Sequence, residues 1–544
     1  MEDLAAPTRF IATHYALLGL LALISYAVGF RLTRRLVYHS LWEEISVCLG
    51  LGLGALAYLV FLLALVGVLY RPVVLLALAG LTLAAYPAWL QLARRTIWAA
   101  KRLRRSTIGV ALFVLALSLP ILLLPLYPPT LWDATSYHLA AAKIYVEHHQ
   151  LVFTPNLRFP VFTQLNEMLF TLALLLSDDI LAHLLEGLLL FTLLAALIGF
   201  GARFFSPRSG WWAAALLLAN PLVLLLGSVA YVDIGLTLFA TLAVFSFWTW
   251  LHTRQQLWLL LAAGFCGFAL STKYPALFFF AVFSLITLAV SWRRHQFLPV
   301  VLFGAIPLLI AAPWYIRIWY YTGNPVFPFF PFFYDIFGHR LWPADYVTGM
   351  LSDHSIYGTG KSLGALLMLP WNLAFKQEAF FGEGSFSPLY FFALPLLVIF
   401  GVLSSHIRAL LLLVITYTLF WFFGPQVLRY LLPALPLLSL ATAAALDCLL
   451  HWLPHSGRHV CQPFLQVLSR SSFKWSGQRF NALWHVKQPL LIGLVFLLLL
   501  APGWHFAVEQ VRRRGLPPMT DTQRDAYLTQ QLGQTYLAYK FLNE

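Results

Sequence analysis

The sequence predicts an all-α, polytopic transmembrane protein, and three observations predict it. Of 544 residues, 60% are hydrophobic and only 10% are charged, whereas a soluble domain carries about 25% charged residues. Apolar runs of roughly 20 residues, enough to cross a bilayer, recur along the chain. Lysine and arginine gather in short segments between alternate runs. Backbone polar groups find no water inside lipid, so the spans must be helices. Continuous rather than alternating hydrophobicity excludes a β-barrel. The net charge of +14 follows the positive-inside pattern, so no nucleic acid is expected as a partner.

About 14 spans meet the length rule. They lie near 10–30, 45–70, 72–92, 108–127, 181–203, 209–228, 231–251, 256–272, 274–292, 297–320, 388–403, 406–424, 427–446 and 488–505. The first lacks a basic n-region and a small-residue cleavage site, so it reads as a retained span. Cys48, Cys266, Cys448 and Cys461 form no disulfide framework or CxxC metal motif. Arg31, Arg34, Arg35, the run Arg94–Arg105, Arg203, Arg208, Arg254, Arg293, Arg294 and Arg408 mark alternate loops as cytoplasmic. This alternation holds only if 161–177 does not cross, so that stretch is expected as an interfacial or partly re-entrant helix in the first long outer loop. Arg512, Arg513 and Arg514 fall on the outer side and fit the rule poorly.

The chain divides into N-terminal extra helices (1–106), a core (107–446) with outer loops 128–180 and 321–387, a basic cytoplasmic loop (447–487), and a last span with a short outer tail (488–544). The outer loops collect carboxylates, among them Asp133, Glu147, Glu167, Asp178, Asp179, Asp335, Asp345, Asp353, Glu378 and Glu383. Polar loops that share one face point to work at that face. The expected location is a multi-pass plasma (inner) membrane with an extracytoplasmic, periplasmic active face.

Four segments carry a family likeness. They are Leu131-Trp132-Asp133-Ala134-Thr135-Ser136-Tyr137-His138-Leu139, Ser271-Thr272-Lys273-Tyr274-Pro275, the stretch Ala312-Pro313-Trp314-Tyr315-Ile316-Arg317 with Thr322-Gly323-Asn324-Pro325-Val326-Phe327-Pro328, and Arg429-Tyr430-Leu431-Leu432-Pro433-Ala434-Leu435-Pro436. In this order they resemble the GT-C superfamily of polyprenyl-phosphate-sugar-dependent glycosyltransferases, in the branch of protein O-mannosyltransferases and the lipid A aminoarabinose transferase. The resemblance runs from about 108 to 440. It implies a GT-C-like fold and transfer of a sugar from a polyprenyl-phosphate carrier to an acceptor hydroxyl, with inversion. The implied partners are that donor, an acceptor protein, lipid or glycan, and the bilayer.

Such a transfer needs a carboxylate to take the acceptor's proton, and the resemblance assigns this to Asp133. Asp133 also precedes a predicted helix at 134–149, where Asp is a favoured N-cap; both roles stay open. Tyr137 lies one turn on, on the same face, as a sugar or acceptor contact or an interfacial anchor. His138 is a further contact candidate. With His148 and His149 it makes no recognised zinc set. Asp233 opens a span from the outer side; the resemblance implies it as the second catalytic carboxylate, to bind sugar hydroxyls or a divalent cation, with helix capping as the alternative, and no cofactor is certain beyond that possible cation. Asp178 and Asp179 are weaker candidates, Asp179 as a helix cap. A leaving phosphate needs fixed positive charge. Lys273 and Arg429 sit at outer helix ends, as phosphate contacts or as snorkelling side chains. Arg317 is a third cation and Tyr430 an adjacent contact, while Lys361 and Lys376 suit headgroups. The aromatic stretch after Phe329 suits an interfacial anchor or a substrate platform. Two other functions fit the composition: a non-catalytic GT-C-like membrane subunit, and a secondary transporter, although no internal repeat is visible.

Overall fold

The computed structural model describes residues 5–101, 105–338, 344–352, 356–381, 383–452 and 501–543. Most of the basic segment 447–487 and of the span expected at 488–505 lies outside them. Among the described residues every regular element is a helix. The principal helices are α1 (Ala5–Leu32), α2 (Leu41–Leu65), α3 (Arg71–Lys101), α4 (Arg105–Leu123), α5 (Leu139–His148), α6 (Leu165–Leu176), α7 (Asp179–Phe204), α8 (Pro207–Leu218), α9 (Pro221–Leu226), α10 (Asp233–Thr253), α11 (Gln256–Thr272), α12 (Ala276–Trp292) and α13 (Leu298–Thr322). Helices Ser405–Phe423 and Leu435–Trp452 complete the bundle. Among the described residues nine helices are long and apolar enough to cross a membrane.

Helices α7 and α10 form the centre and are buried along almost their whole length. Helices α3, α13 and Ser405–Phe423 lie at the rim. There Leu83 is 81% and Leu309 71% exposed, a surface that water would not tolerate and lipid tails match. The chain is a multi-pass membrane protein. Where helices lack a hydrophobic drive toward each other, small residues let backbones touch. A Cβ on Gly29 would stand 1.9 Å from the Cys48 carbonyl oxygen, and one on Gly52 1.8 Å from that of Ser25. The two glycines therefore fix the α1–α2 crossing from both sides.

Two expected spans are broken. The run 209–228 splits into α8 and α9 at Asn220-Pro221, because proline cannot donate and biases its predecessor away from helix. The Asn220 side chain repairs the break, donating to the Leu216 and Leu217 carbonyls at 2.8 and 2.9 Å. The run 388–403 starts with a short turn, Leu389–Phe392, before helix Leu394–Leu403. The stretch 161–177 folds as α6, which is 12 residues long and buried. It packs against α2, α5 and α7.

The two ends of the bundle differ. At one end Ser40 caps α2, and the buried Glu43 and Glu44 are paired, Glu43 with Arg203 at 2.6 Å and Glu44 with Arg95. Arg254 and Arg293 cap α10 and α12 at that same end. At the other end the tail docks. Arg524, on helix Asp521–Leu532, pairs with Asp179 at 2.5 Å, and Tyr127 donates to the Gly515 carbonyl at 2.5 Å. Arg512 and Arg513 pair with Glu509, while Arg514 lies 6.0 Å from the Tyr127 ring. These contacts give the three arginines a local account that the charge pattern lacks.

Candidate active site

At the tail-bearing end, the chain leaving α4 turns through a π-helical segment, Ala134–His138, into α5. Asp133 sits at its start with helical dihedrals, and its side chain caps nothing. The capping alternative is therefore set aside for Asp133. Its carboxylate instead meets Arg429 at 2.5 Å and accepts from the Tyr137 hydroxyl at 2.7 Å. The one-turn spacing of Asp133 and Tyr137 thus becomes a hydrogen bond. Burial pushes the Asp133 carboxyl up, but Arg429, His138, the Tyr137 bond and Lys273 together hold it below the usual aspartate value. It is ionised at neutral pH.

Asp233 is the first residue of α10, with Val232 at the cap position, and it caps nothing either. Its Oδ1 accepts from Lys273 Nζ at 2.9 Å, while Oδ2 is buried without a hydrogen-bond partner. Lys273 is placed by the end of α11, where the backbone becomes extended just before Pro275. Its ammonium lies 4.4 Å from the Tyr430 ring centroid. Arg429 comes from a 3-10 segment, Leu428–Ala434, and its guanidinium lies 5.1 Å from the Tyr231 ring and 5.7 Å from the Tyr430 ring. Asp133, Arg429, Tyr430, Lys273 and Asp233 thus form one continuous array, with Tyr137 on its flank.

Two predicted residues are engaged outside the array, His138 just behind it and Arg317 away from it. His138 turns toward α6, where Nδ1 meets Glu167 Oε1 at 2.8 Å, one layer behind Tyr137. Arg317 stands apart from the array. It donates to Gln164 Oε1 at 3.0 Å and to the Val152 carbonyl at 2.8 Å, tying the first outer loop to α13. Asp178, not Asp179, caps α7, accepting from the Ile180 and Leu181 backbone N–H groups. Lys361 donates to the Phe423 carbonyl at 2.7 Å.

The array has members that the sequence did not single out. Tyr231 donates to Glu383 Oε1 at 2.8 Å and lies 3.4 Å from the Asp133 backbone nitrogen. Glu383 Oε2 is 3.9 Å from Arg429 Nη1. Behind Asp233, Asn166 donates to the buried Glu186 at 2.9 Å. A Cβ on Gly235 would meet the Asn166 amide at 2.3 to 2.6 Å, so glycine there admits Asn166 to the first turn of α10. Glu186 carried a signal, since an acid inside an apolar run is a functional candidate by default. Glu383 carried only its place among the carboxylates of the second outer loop.

The arrangement suits an anion. Arg429 Nε and Nη1 are both buried without hydrogen-bond partners, and buried donors of this kind are expensive unless something accepts from them. Each aspartate already faces a cation, and among the described residues no three His, Cys, Asp or Glu side chains are placed to hold a metal.

A family model for dolichyl-phosphate-mannose-protein mannosyltransferase matches residues 182–324. That segment holds Asp233, Lys273 and Arg317, but not Asp133 or Arg429. An uncharacterized protein of Shigella flexneri is 38% identical over 136 residues, covering 25% of this chain and 68% of its own length. Among solved structures, ArnT from Cupriavidus metallidurans in the apo state is 17% identical at a TM-score of 0.45, covering 74% of this chain and 76% of that one. The same protein bound to undecaprenyl phosphate is 16% identical at 0.43, covering 78% and 77%. The archaeal oligosaccharyltransferase AglB from Archaeoglobus fulgidus, in complex with an inhibitory peptide and a dolichol-phosphate, is 13% identical at 0.36, covering 75% of this chain and 56% of that one. The chain belongs to the family of the Shigella flexneri protein.

Proposed function

We propose that the chain transfers a sugar from a polyprenyl-phosphate carrier to an acceptor hydroxyl, on the non-cytoplasmic face of the plasma (inner) membrane and with inversion. One observation carries this reading: two buried, unaccepted Arg429 donors stand beside an ionised Asp133. The donor's phosphate accepts from the unpartnered Arg429 donors, with Lys273 as the second cation. The acceptor oxygen attacks the anomeric carbon, the bond to the phosphate oxygen breaks, and its electron pair leaves on the phosphate. Asp133 takes the acceptor's proton. Fixed cations are most useful where charge grows in the transition state, here on the departing phosphate. Phosphate binding also weakens the hold of Arg429 on Asp133, which makes the carboxylate a better base when donor is present. Asp233 and Tyr137 orient the sugar and the acceptor. Helices α1–α3, within 1–106, flank a transferase core at 107–446, and α2 supports α6 and α7 behind the site. The face follows from charge: the arginine-capped ends of α10 and α12 lie opposite the array.

The test is mass spectrometry of lipids co-purifying with the full-length protein, followed by incubation with the donor so identified. The expected result is a polyprenyl-phosphate hexose or pentose, consumed with release of polyprenyl phosphate when acceptor is present. Substrate flux through proteoliposomes with no lipid-linked sugar consumed would contradict it. So would a stoichiometric protein partner in whose presence donor stays intact.

A further inference from the structure

Among the described residues, Glu383 is the one array member brought by the second outer loop. That loop is braced across Glu383 and pinned to the bundle just after it. Gln377 brackets Phe386, accepting from its N–H at 2.7 Å and donating to its carbonyl at 2.9 Å. Leu222 N–H donates to the Ser385 carbonyl at 3.0 Å, and Ser387 N–H to Asn220 Oδ1 at 2.8 Å. A Cβ on Gly384 would stand 2.9 Å from Leu222 Cα, so the loop lies directly on α9. The break at Asn220-Pro221 therefore supplies the anchor that sets Glu383 over Arg429.

The carboxyl oxygens of Glu383 differ. Oε1 accepts from Tyr231, whereas Oε2 is buried without a hydrogen-bond partner and faces the equally unpartnered Arg429 Nη1 at 3.9 Å. That gap exceeds a hydrogen bond, whose heavy atoms stand about 2.7–3.2 Å apart. An oxygen set beside the line between the two atoms reaches both at ordinary distance. If that oxygen belongs to an anion, it accepts from Nη1, and it accepts from Oε2 only when Oε2 carries a proton.

We propose that Glu383 binds the lipid phosphate as a neutral carboxylic acid, donating its Oε2 proton to a phosphate oxygen held by Arg429. This rests on the reading of Arg429 as the phosphate site and adds to it a residue that reads the protonation state. The groups facing Glu383 are Tyr231 before α10, Arg429 on the 3-10 segment, Asp133 from the first outer loop and Asp233 on α10. Burial raises the Glu383 carboxyl, Arg429 and the Tyr231 bond oppose this, and Asp133 and Asp233 add to it, leaving it above the ordinary glutamate value. An arriving phosphate raises it further. Above its ionisation range the carboxylate stands against the phosphate and weakens binding.

The experiment measures binding of polyprenyl methyl phosphate, a diester whose charge is constant across the pH range, to the full-length protein in nanodiscs. Wild-type protein should lose affinity as pH rises through the Glu383 ionisation range, by at most about tenfold per pH unit for one linked proton. Glu383→Gln, which stays neutral, should bind with a flat profile and exceed wild type at high pH. Arg429→Gln should bind the probe weakly at every pH. Parallel wild-type and Glu383→Gln profiles, with binding lost in Arg429→Gln, would overturn the role of Glu383 and leave the phosphate site standing. Undiminished binding by Arg429→Gln would overturn the phosphate site itself, and Glu383 with it. Should Glu383→Gln not fold, a wild-type profile without a pH-dependent loss is enough to overturn the proposal.

Discussion

Separating Asp133 from Arg429 gives the sharpest energetic prediction. Their side chains are only 9% and 11% exposed and meet at 2.5 Å. Removing one partner of a buried pair costs about 3–5 kcal/mol, because the other charge stays buried and uncompensated. Asp133→Asn should fall near the lower end. Asn still accepts from Tyr137, and Arg429 keeps Glu383 at 3.9 Å. Arg429→Gln exposes Asp133 to its burial penalty, and the carboxyl can escape by protonating. About three pH units separate neutral pH from an ordinary aspartate, so that escape caps the cost near 4 kcal/mol. The double variant removes both charges and should cost less than the sum by about 2–3 kcal/mol, the coupling expected of groups in direct contact. The assay is equilibrium unfolding in mixed micelles of wild type, both single variants and the double. The pH sign follows from the depressed Asp133 carboxyl. Its stabilisation is present above the ordinary aspartate range and is lost as pH falls through its lower folded value. Wild type should therefore lose more stability than Asp133→Asn on acidification through that window. Additive costs, or equal acid losses, would refute the pairing on which the site is built.

Three further perturbations follow. Lys273→Met leaves the 2%-exposed Asp233 carboxylate without its ion-pair partner, so unfolding should show a loss of about 3–5 kcal/mol and polyprenyl phosphate binding should weaken; unchanged binding would remove Lys273 from the site. Gly235→Ala drives a Cβ into the Asn166 amide, an overpacking worth about 1–3 kcal/mol. Turnover should fall with it, and Asn166→Ala should relieve the stability loss in the double variant. Gly52→Ala forces α1 and α2 apart at the Ser25 carbonyl, with a thermal midpoint below wild type and little effect on donor KM.

The sequence made some of this site legible through local rules. Apolar runs located the helices, one-turn spacing joined Asp133 to Tyr137, and cations at helix ends marked Lys273 and Arg429. Cations at helix ends are not all alike, however. Arg317 looks like Lys273 in sequence, yet it spends its donors on Gln164 and the Val152 carbonyl, a difference set by where the first outer loop returns. The cap readings of Asp133 and Asp233 failed because each carboxylate found a cation stronger than a backbone N–H. Asn220-Pro221 signalled a break that the surrounding leucines disguised. Glu186 stood out as an acid in an apolar run, and its partner Asn166 did not. Glu383 was hidden by distance: its partners Tyr231 and Arg429 come from other loops, and only the fold brings the three together.

The most direct measurement is sugar transfer from the co-purified polyprenyl-phosphate donor by wild type and by Asp133→Asn, with donor binding followed in parallel. Wild type should consume donor and release polyprenyl phosphate. Asp133→Asn should keep donor binding while its turnover drops by about 10²–10⁴, the range for losing a general base. Equal turnover in the two proteins, or a wild type that binds the donor and never cleaves it, would contradict a glycosyl-transfer site at Asp133.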